Sequence, residues 1–279
     1  MTSKKQNTLA DSFMDVTINK AIADIIAKYT SNKEDIREIT LQKVNFHNAE
    51  KILDLGCGFG FLTKNLKNKA PKNIEITGID QCVNNKQYFL DSCTKNGFQG
   101  KFIKSDMSVL NEFKADSYDF ILCSYALYFF PEVIPKISQL LKNDGKFVVI
   151  THVKNHLVEL ISYIKNIKRK NKSETNINTP YEKLISNFSD ENAFQLLSPY
   201  FKNIQKFDYK SSLVFSKNEI SDLIIYLQLK HSFYVNNDKQ LLNKVIKQLK
   251  KDIHTMKKII ISKDDVIFIC SKKFEPNEK

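Results

Sequence analysis

Glycine is scarce in this chain, with seven in 279 residues, yet three of the seven fall within five positions of "KILDLGCGFGFL", residues 51–62. Arginine is scarcer still: Arg37 and Arg169 stand alone against a net charge of +12. The positive charge is therefore almost all lysine, whereas bidentate reading of guanine or phosphate falls to arginine. That counts against nucleic acid as a partner. A lysine bias with abundant Asn and Ile reads instead as the codon drift of an AT-rich genome, and a generally basic surface follows from it. Long apolar runs are missing too. The longest, Phe120–Phe130, is interrupted by Ser124 and is too short for a bilayer span of roughly 18–20 residues, so no membrane association is expected. The opening "MTSKKQNTLADSF" has two lysines but no apolar stretch behind them, so no secretory signal is read there. Five cysteines stand singly, with no CxxC pair. That excludes a disulfide framework and a zinc site and points to a reduced, cytoplasmic chain.

What is present is a core and a pattern. Apolar residues make up 42% of the chain, and the length suits one large α/β domain, alone or with a small cap. Leu9, Phe13, Val16, Ile18, Ile22, Ile25 and Ile26 form a helical stripe, and a second helix is expected from about Lys33 to Val44. The period then changes. Strands are expected at Lys51–Leu55, Ile74–Ile79, Lys101–Lys104, Tyr118–Cys123 and Lys146–Thr151, separated by helices at Phe61–Lys69, Cys82–Lys95 and from Pro131 to about Lys142. "NDG", 143–145, reads as a turn. Strand–helix alternation over 51–151 is the signature of a doubly wound, mostly parallel α/β sheet. Beyond it a helix is expected at Leu157–Ile167, a polar loop at 168–179, a strand at Asn203–Phe215 and a last strand at Asp264–Lys272. About fifty residues separate those last two strands, with helices near Asn218–His231 and Asp238–Lys258. An insertion of that length reads as a functional cap. The expected organisation is an N-terminal helical lid over 1–46, a core of 47–216 and 260–279, and a helical insert over 217–259.

The glycine cluster sits at the carboxyl end of the first strand, where open α/β sheets bind ligands. A dinucleotide fingerprint GxGxxG places its third glycine at 61, and Phe61 stands there. The spacing is GxGxG, preceded by Asp54. A carboxylate in the loop disfavours a pyrophosphate and suits a ligand that carries a positive amino group.

"ILDLGCGFG" resembles the first signature of class I S-adenosylmethionine-dependent methyltransferases, of the broad small-molecule (type 11/12-like) group, and the resemblance covers 45–151. It implies a seven-stranded Rossmann-like sheet with N-terminal helices and a helical insert before the last strand. It also implies S-adenosyl-L-methionine as cofactor and S-adenosyl-L-homocysteine as product. The implied cofactor set is Asp54, Gly56, Cys57 and Gly58 at the turn, Asp80 and Gln81 after "ITGI", Asp106 and Met107 after "FIKS", and Cys123 and Ser124 ending the fourth strand. In that family Asp80 faces the ribose hydroxyls, and Asp106 faces the adenine amino group with Met107 beside the ring.

Methyl transfer from a sulfonium is an in-line displacement that asks mainly for orientation. The fourth strand ends in "CSYA", without the (N/D)PP(Y/F) tetrad of many nitrogen methylators or the Pro-Cys of cytosine methylators. The expected acceptor is therefore a small molecule methylated on O, N or C. Tyr125 and Tyr128 are candidate pocket residues and His152 the candidate base. His156 is a weaker candidate. Phe13, Tyr29 and Arg37 are candidate lid contacts, and Tyr226, His231, Phe233 and Tyr234 candidate acceptor contacts in the insert. The lysines of 239–258 read as a solvated helix face. An RNA- or protein-directed enzyme of the same fold is the first alternative, and a non-catalytic methyltransferase-like binding protein the second.

Overall fold

The structure is a computed structural model that describes residues 15–170, 178–253, 255 and 257–273. Leu9 and Phe13 lie outside the described residues. In chain order the elements are α1 (Val16–Tyr29), α2 (Ile36–Gln42), β1 (Lys51–Leu55), α3 (Phe61–Lys64), β2 (Glu75–Asp80), α4 (Lys86–Lys95), β3 (Gln99–Lys104), β4 (Tyr118–Ser124), α5 (Ile134–Leu140) and β5 (Leu141–His152). There follow α6 (Val158–Lys170), α7 (Pro180–Ile185), α8 (Ala193–Leu197), β6 (Phe201–Tyr209), β7 (Ser212–Ser216), α9 (Ile220–Leu229), α10 (His231–Val235), α11 (Lys239–Asp252), β8 (Lys258–Ser262) and β9 (Asp265–Lys273). They form two compact units.

The sheet unit comprises 34–154, 186–209 and 265 onward. Its seven strands run in the order β3-β2-β1-β4-β5-β9-β6. The first five are parallel, while β9 lies antiparallel between β5 and β6. Parallel strands buried on both faces read as continuous apolar runs, and Ile52, Leu53 and Leu55 of β1 are fully buried. Ile52, Ile76, Leu122, Val148 and Ile267 from five strands share one core cluster with Phe46 and Phe89. Register brings the carboxyl ends level, with Leu55 opposite both Ile79 and Cys123, and Ser124 opposite Ile150. Because β9 is antiparallel, its first residue, Asp265, lies opposite His152, the last residue of β5.

The helical unit comprises 15–33, 155–185 and 210–264 in its described parts. Asp15 and Asp238 cap α1 and α11 by accepting backbone N–H bonds from the first turn, which satisfies donors that a helix start leaves orphaned. The apolar stripe of α11 (Leu241, Leu242, Val245, Leu249) is buried, and Lys244, Lys247 and Lys251 are exposed.

Several expected boundaries move. The units divide at 33/34, 154/155, 185/186, 209/210 and 264/265, rather than at 46/47, 216/217 and 259/260. Thus α2 belongs with the sheet, and 155–185 and 210–216 belong with the helices. The strand expected over 203–215 is two strands. β6 ends at Tyr209, and Ser211, whose N–H donates to Asp264 at 3.0 Å, begins a segment in which β7 pairs antiparallel with β8. β8 itself falls where a helix was expected to reach Lys258: α11 ends at Asp252, and the β-branched run Ile259–Ile261 is extended. The helix expected at 61–69 is regular only to Lys64. The 143–145 turn becomes an irregularity in β5, whose register against β4 shifts between Tyr118 and Phe120.

Candidate cofactor and acceptor site

The turn after β1 explains the clustered glycines. Gly56 N–H and Cys57 N–H both donate to the Ile79 carbonyl, at 2.9 and 3.2 Å, which folds the chain back over β2. Gly56 has φ +64°, and a Cβ there would stand 2.5 Å from the Ala126 Cβ. Only glycine accepts that backbone and that approach. Gly58 also has positive φ, +50°, but a Cβ there would meet nothing within 4 Å. Its side of the turn faces open space.

Asp80, at the end of β2, closes the turn. Its Oδ2 accepts from Gly58 N–H at 2.9 Å, and its Oδ1 from Cys82 N–H at 2.8 Å and Asn85 Nδ2 at 3.3 Å. Burial raises the Asp80 carboxyl above its ordinary value while these three donors pull it back. A carboxylate offers about four acceptor positions, so capacity remains for a further donor. Asn85 adds a second polar atom: its Oδ1 is buried and without a hydrogen-bond partner among the described residues. A buried acceptor left unmatched costs roughly 1–3 kcal/mol, so its place beside Asp80 and an open glycine turn points to a ligand donor. The residues therefore fit a hydroxyl-bearing adenosyl group at this position. Gln81 is exposed next to them.

The other two acids have partners of their own within the chain. Asp54 does not face open space: it is 2% exposed and its Oδ2 accepts from Thr63 Oγ1 at 2.8 Å. Burial, with the Asp80 charge adding to it against the Thr63 hydrogen bond, pushes the Asp54 carboxyl up to about 7. Its direct work is to tie the end of β1 to α3. Asp106 is exposed and caps the short turn Met107–Glu112, accepting from Ser108 N–H at 2.9 Å and from the Ser108 hydroxyl, which holds its carboxyl below the usual range. Met107 is buried behind it. Cys57 and Cys123 are buried, and burial pushes both thiols up, so neither is a nucleophile.

At the ends of β4 and β5 the structure gathers the three candidate acceptor-side residues around one acid that sequence reasoning missed. Asp265, its side chain fully buried, accepts from the Tyr125 hydroxyl at 2.8 Å and pairs with His152 Nδ1 at 2.7 Å. The Tyr125 and His152 rings lie 4.8 Å apart, and Tyr128 stacks on His152 at 5.8 Å. Burial and the Asp265 charge hold the Tyr125 phenol well above its ordinary value, so it stays a proton donor. Tyr125 has φ +56°, a left-handed conformation that costs an L-residue about 1–2 kcal/mol. Its N–H bond to the Ile150 carbonyl at 2.8 Å and its hydroxyl bond to Asp265 hold it there. The signal for Asp265 was the acid pair opening "DDVIFICSK"; only the antiparallel placement of β9 turns it into a partner of His152.

Arg37 lies at 5.1 Å over the ring of Phe61, the residue that directly follows the glycine turn, within the sheet unit. The Tyr29 ring packs on Phe215 and its hydroxyl donates to Asp222 at 2.5 Å, all inside the helical unit. Tyr226, Phe233 and Tyr234 are buried core of that unit, and His231 Nδ1 meets the Gln228 carbonyl at 2.8 Å. His156 is buried against the Tyr181 hydroxyl. A cavity of about 540 Å³ opens on the sheet unit, lined by Lys51, Glu75, Gln99 and Tyr118 among others. These residues begin their strands, at the edge opposite the glycine turn, so it is not the cofactor site. Among the described residues, no helix is long and apolar enough to cross a membrane.

A parallel sheet closed by one antiparallel strand, with a glycine turn after β1 and an acid ending β2, defines the class I S-adenosylmethionine-dependent methyltransferase fold. The methyltransferase domain family matches residues 46–186, and the chain belongs to that family. Demethylmenaquinone methyltransferase of Thermotoga maritima is 33% identical over 106 residues, covering 37% of this chain and 44% of that protein. Ubiquinone biosynthesis O-methyltransferase of Vibrio cholerae is 25% identical over 134 residues, 46% of this chain and 54% of that protein. The chain spans about half the length of the curated relatives it matches. The YcgJ protein of Bacillus subtilis shares the fold, with a TM-score of 0.56 at 14% identity, covering 86% of this chain and 98% of that one.

Proposed function

We propose that the chain transfers the methyl group of S-adenosyl-L-methionine to an O, N or C atom of a small-molecule acceptor, releasing S-adenosyl-L-homocysteine. The observation that carries this reading is the open face of Gly58 beside the Asp80 carboxylate and the unmatched Asn85 carbonyl. We assign the turn Gly56–Cys57–Gly58, with Cys123 and Ser124, to the methionine part of the cofactor. Asp80, Gln81 and Asn85 go to the ribose, and Asp106 and Met107 to the adenine. The cofactor, when bound, supplies an electrophilic methyl carbon on a sulfonium. The chain's own residues orient the acceptor and keep water out; Tyr125, Tyr128 and His152 are assigned to that side.

Support for a small acceptor comes from the relatives' names, which specify menaquinone and ubiquinone chemistry, and from the scarcity of arginine. All five cysteines are buried thiols with no disulfide among them, which supports a reducing, cytoplasmic setting. The test is incubation of the protein with methyl-labelled S-adenosylmethionine and a cell extract. Label in the low-molecular-mass fraction is expected; label in RNA or protein instead contradicts the acceptor class.

A further inference from the structure

The cavity at the edge opposite the glycine turn owes its existence to a short crossover. Parallel sheets are covered by helices on both faces. On one face of β2 and β3 that holds: a Cβ on Gly78 would meet Phe89 and one on Gly100 would meet Cys93, both of α4. Side chains alternate along a strand, so Thr77 and Lys101, direct partners in the β2–β3 ladder, point to the other face. The crossover from β3 to β4 is the six-residue turn Met107–Glu112 and a loop, with no regular α-helix. Phe113 and Lys114 of that loop line the same cavity as Thr77, Lys101 and Ile103. The start of this face stays bare, and Glu75, Gln99 and Lys101 are exposed on it. The cavity measures about 540 Å³ and lies wholly within the sheet unit.

Its lining has an excess of positive charge and a flat wall. Lys51, Lys101 and Lys114 line it, and Glu75 is the one acid among the described lining residues. Glu75 is engaged by Lys51 at 3.1 Å. Among the described residues Lys101 and Lys114 have no acidic partner, so two ammonium charges at the cavity are uncompensated. Phe113 and Tyr118 form the wall, their ring centroids 6.1 Å apart and their planes 31° apart. Lysine is a compact point charge without the planar fork of arginine. Two such charges match a dianion better than a single carboxylate, and a phosphate monoester carries about −1.5 to −2 at neutral pH. Inorganic phosphate alone would leave most of the volume unfilled, and small-molecule sites run from about 300 to 1,000 Å³. We propose that this cavity binds a small phosphate monoester that carries a planar ring, with the phosphate between Lys101 and Lys114 and the ring against Phe113 and Tyr118. The site is independent of methyl transfer: Lys51 and Glu75 begin the strands whose far ends carry Asp54 and Asp80.

Phenyl phosphate is the probe. It is titrated at low salt into the ¹⁵N-labelled full chain, with backbone amide shifts as the readout, alone and with excess S-adenosylhomocysteine. Saturable shifts are expected within 99–103 and 113–118, unchanged by S-adenosylhomocysteine. The affinity is expected to exceed that for inorganic phosphate and for benzoate by about tenfold, the scale of an added ring contact or a second charge. Lys101→Gln and Lys114→Gln are each expected to weaken binding about fivefold, the upper range for an exposed ion pair. Both lysines are exposed, so the variants keep the fold. Lys95→Gln, exposed at the end of α4 and outside the cavity, is expected to change nothing. No shifts at about 20 mM phenyl phosphate, a concentration that detects even millimolar affinity, overturn the proposal. So does equal affinity for inorganic phosphate, or binding that survives both lysine variants unchanged. Loss of the shifts when S-adenosylhomocysteine is added places the probe at the glycine turn and also overturns it. A single-stranded oligonucleotide that binds the same residues more tightly than phenyl phosphate assigns the lysines to nucleic acid instead. Failure of S-adenosylhomocysteine itself to bind bears only on the methyl-transfer reading.

Discussion

Asp54 and Asp80 are two carboxylates with different work, and the difference is measurable. Asp54 is buried, and among the described residues the Thr63 hydroxyl is its one side-chain donor. Its folded-state value, about 7, lies above the ordinary 3.8 of an unfolded chain. The fold therefore favours the protonated acid. That contribution is fully present below about pH 4 and is lost as pH rises through 7. A rise of about three units corresponds to at most about 4 kcal/mol. Asp54→Asn, which cannot ionise, is expected to flatten the wild-type decline in stability between pH 4 and 8, read from urea midpoints; a parallel decline in both proteins refutes the burial argument. Asp80 is held by three donors and keeps room for a ligand. Asp80→Ala is expected to weaken S-adenosylhomocysteine binding by roughly 1.5–3 kcal/mol, the scale of a charge-assisted hydrogen bond. An unchanged affinity removes Asp80 from the site. Both acids were legible in the sequence because the strand ends were. That Asp54 faces Thr63 was not, since the carboxylate's direction depends on how the next helix packs.

The turn between β1 and α3 is the element on which the site depends, and its glycines separate cleanly. Gly56→Ala forces a Cβ to within 2.5 Å of Ala126. Overpacking of that kind costs typically 1–3 kcal/mol, in addition to the left-handed backbone, so the variant is expected to lose thermal stability. Gly58→Ala meets no protein atom within 4 Å. It is expected to cost only the backbone strain while placing a methyl group in the space proposed for the cofactor, so affinity falls more than stability. Equal stability losses in the two variants, with unchanged affinity in Gly58→Ala, contradict this assignment. Among the parallel strands, β1 is observed at the expected Lys51–Leu55 and the bounds of β2 and β4 fall within one residue of expectation, whereas β3 starts two residues early and β5 starts at Leu141, five residues before the expected Lys146. The antiparallel and irregular parts were harder. β6 and β7 form one unbroken run by composition, and the break at Lys210–Ser211 comes from Asp264, 53 residues away. β8 is only five residues long and follows closely on a lysine-rich amphipathic helix, so the helical pattern was read on to its first residue, Lys258. Asp265 gained its meaning only when β9 proved to run against β5.

Across the whole molecule, the family match over 46–186 takes in most of the sheet unit and the 155–185 segment of the helical unit, which is built from three parts of the chain. Ligand-linked stability follows. A ligand that binds only the folded state at 100 times its dissociation constant adds about 2.7 kcal/mol, which corresponds to several degrees of melting temperature for a chain of this size. S-adenosylhomocysteine is expected to raise the melting temperature by that amount, and Asp80→Ala to abolish most of the shift. The central claim is that the glycine turn and its neighbouring acid hold an adenosyl group that carries a sulfur centre. Isothermal titration calorimetry of the intact chain with S-adenosylhomocysteine tests it most directly. The account predicts saturable binding at one site per chain and no response to a nicotinamide dinucleotide. No heat at millimolar S-adenosylhomocysteine, or saturable binding of the dinucleotide in its place, contradicts it.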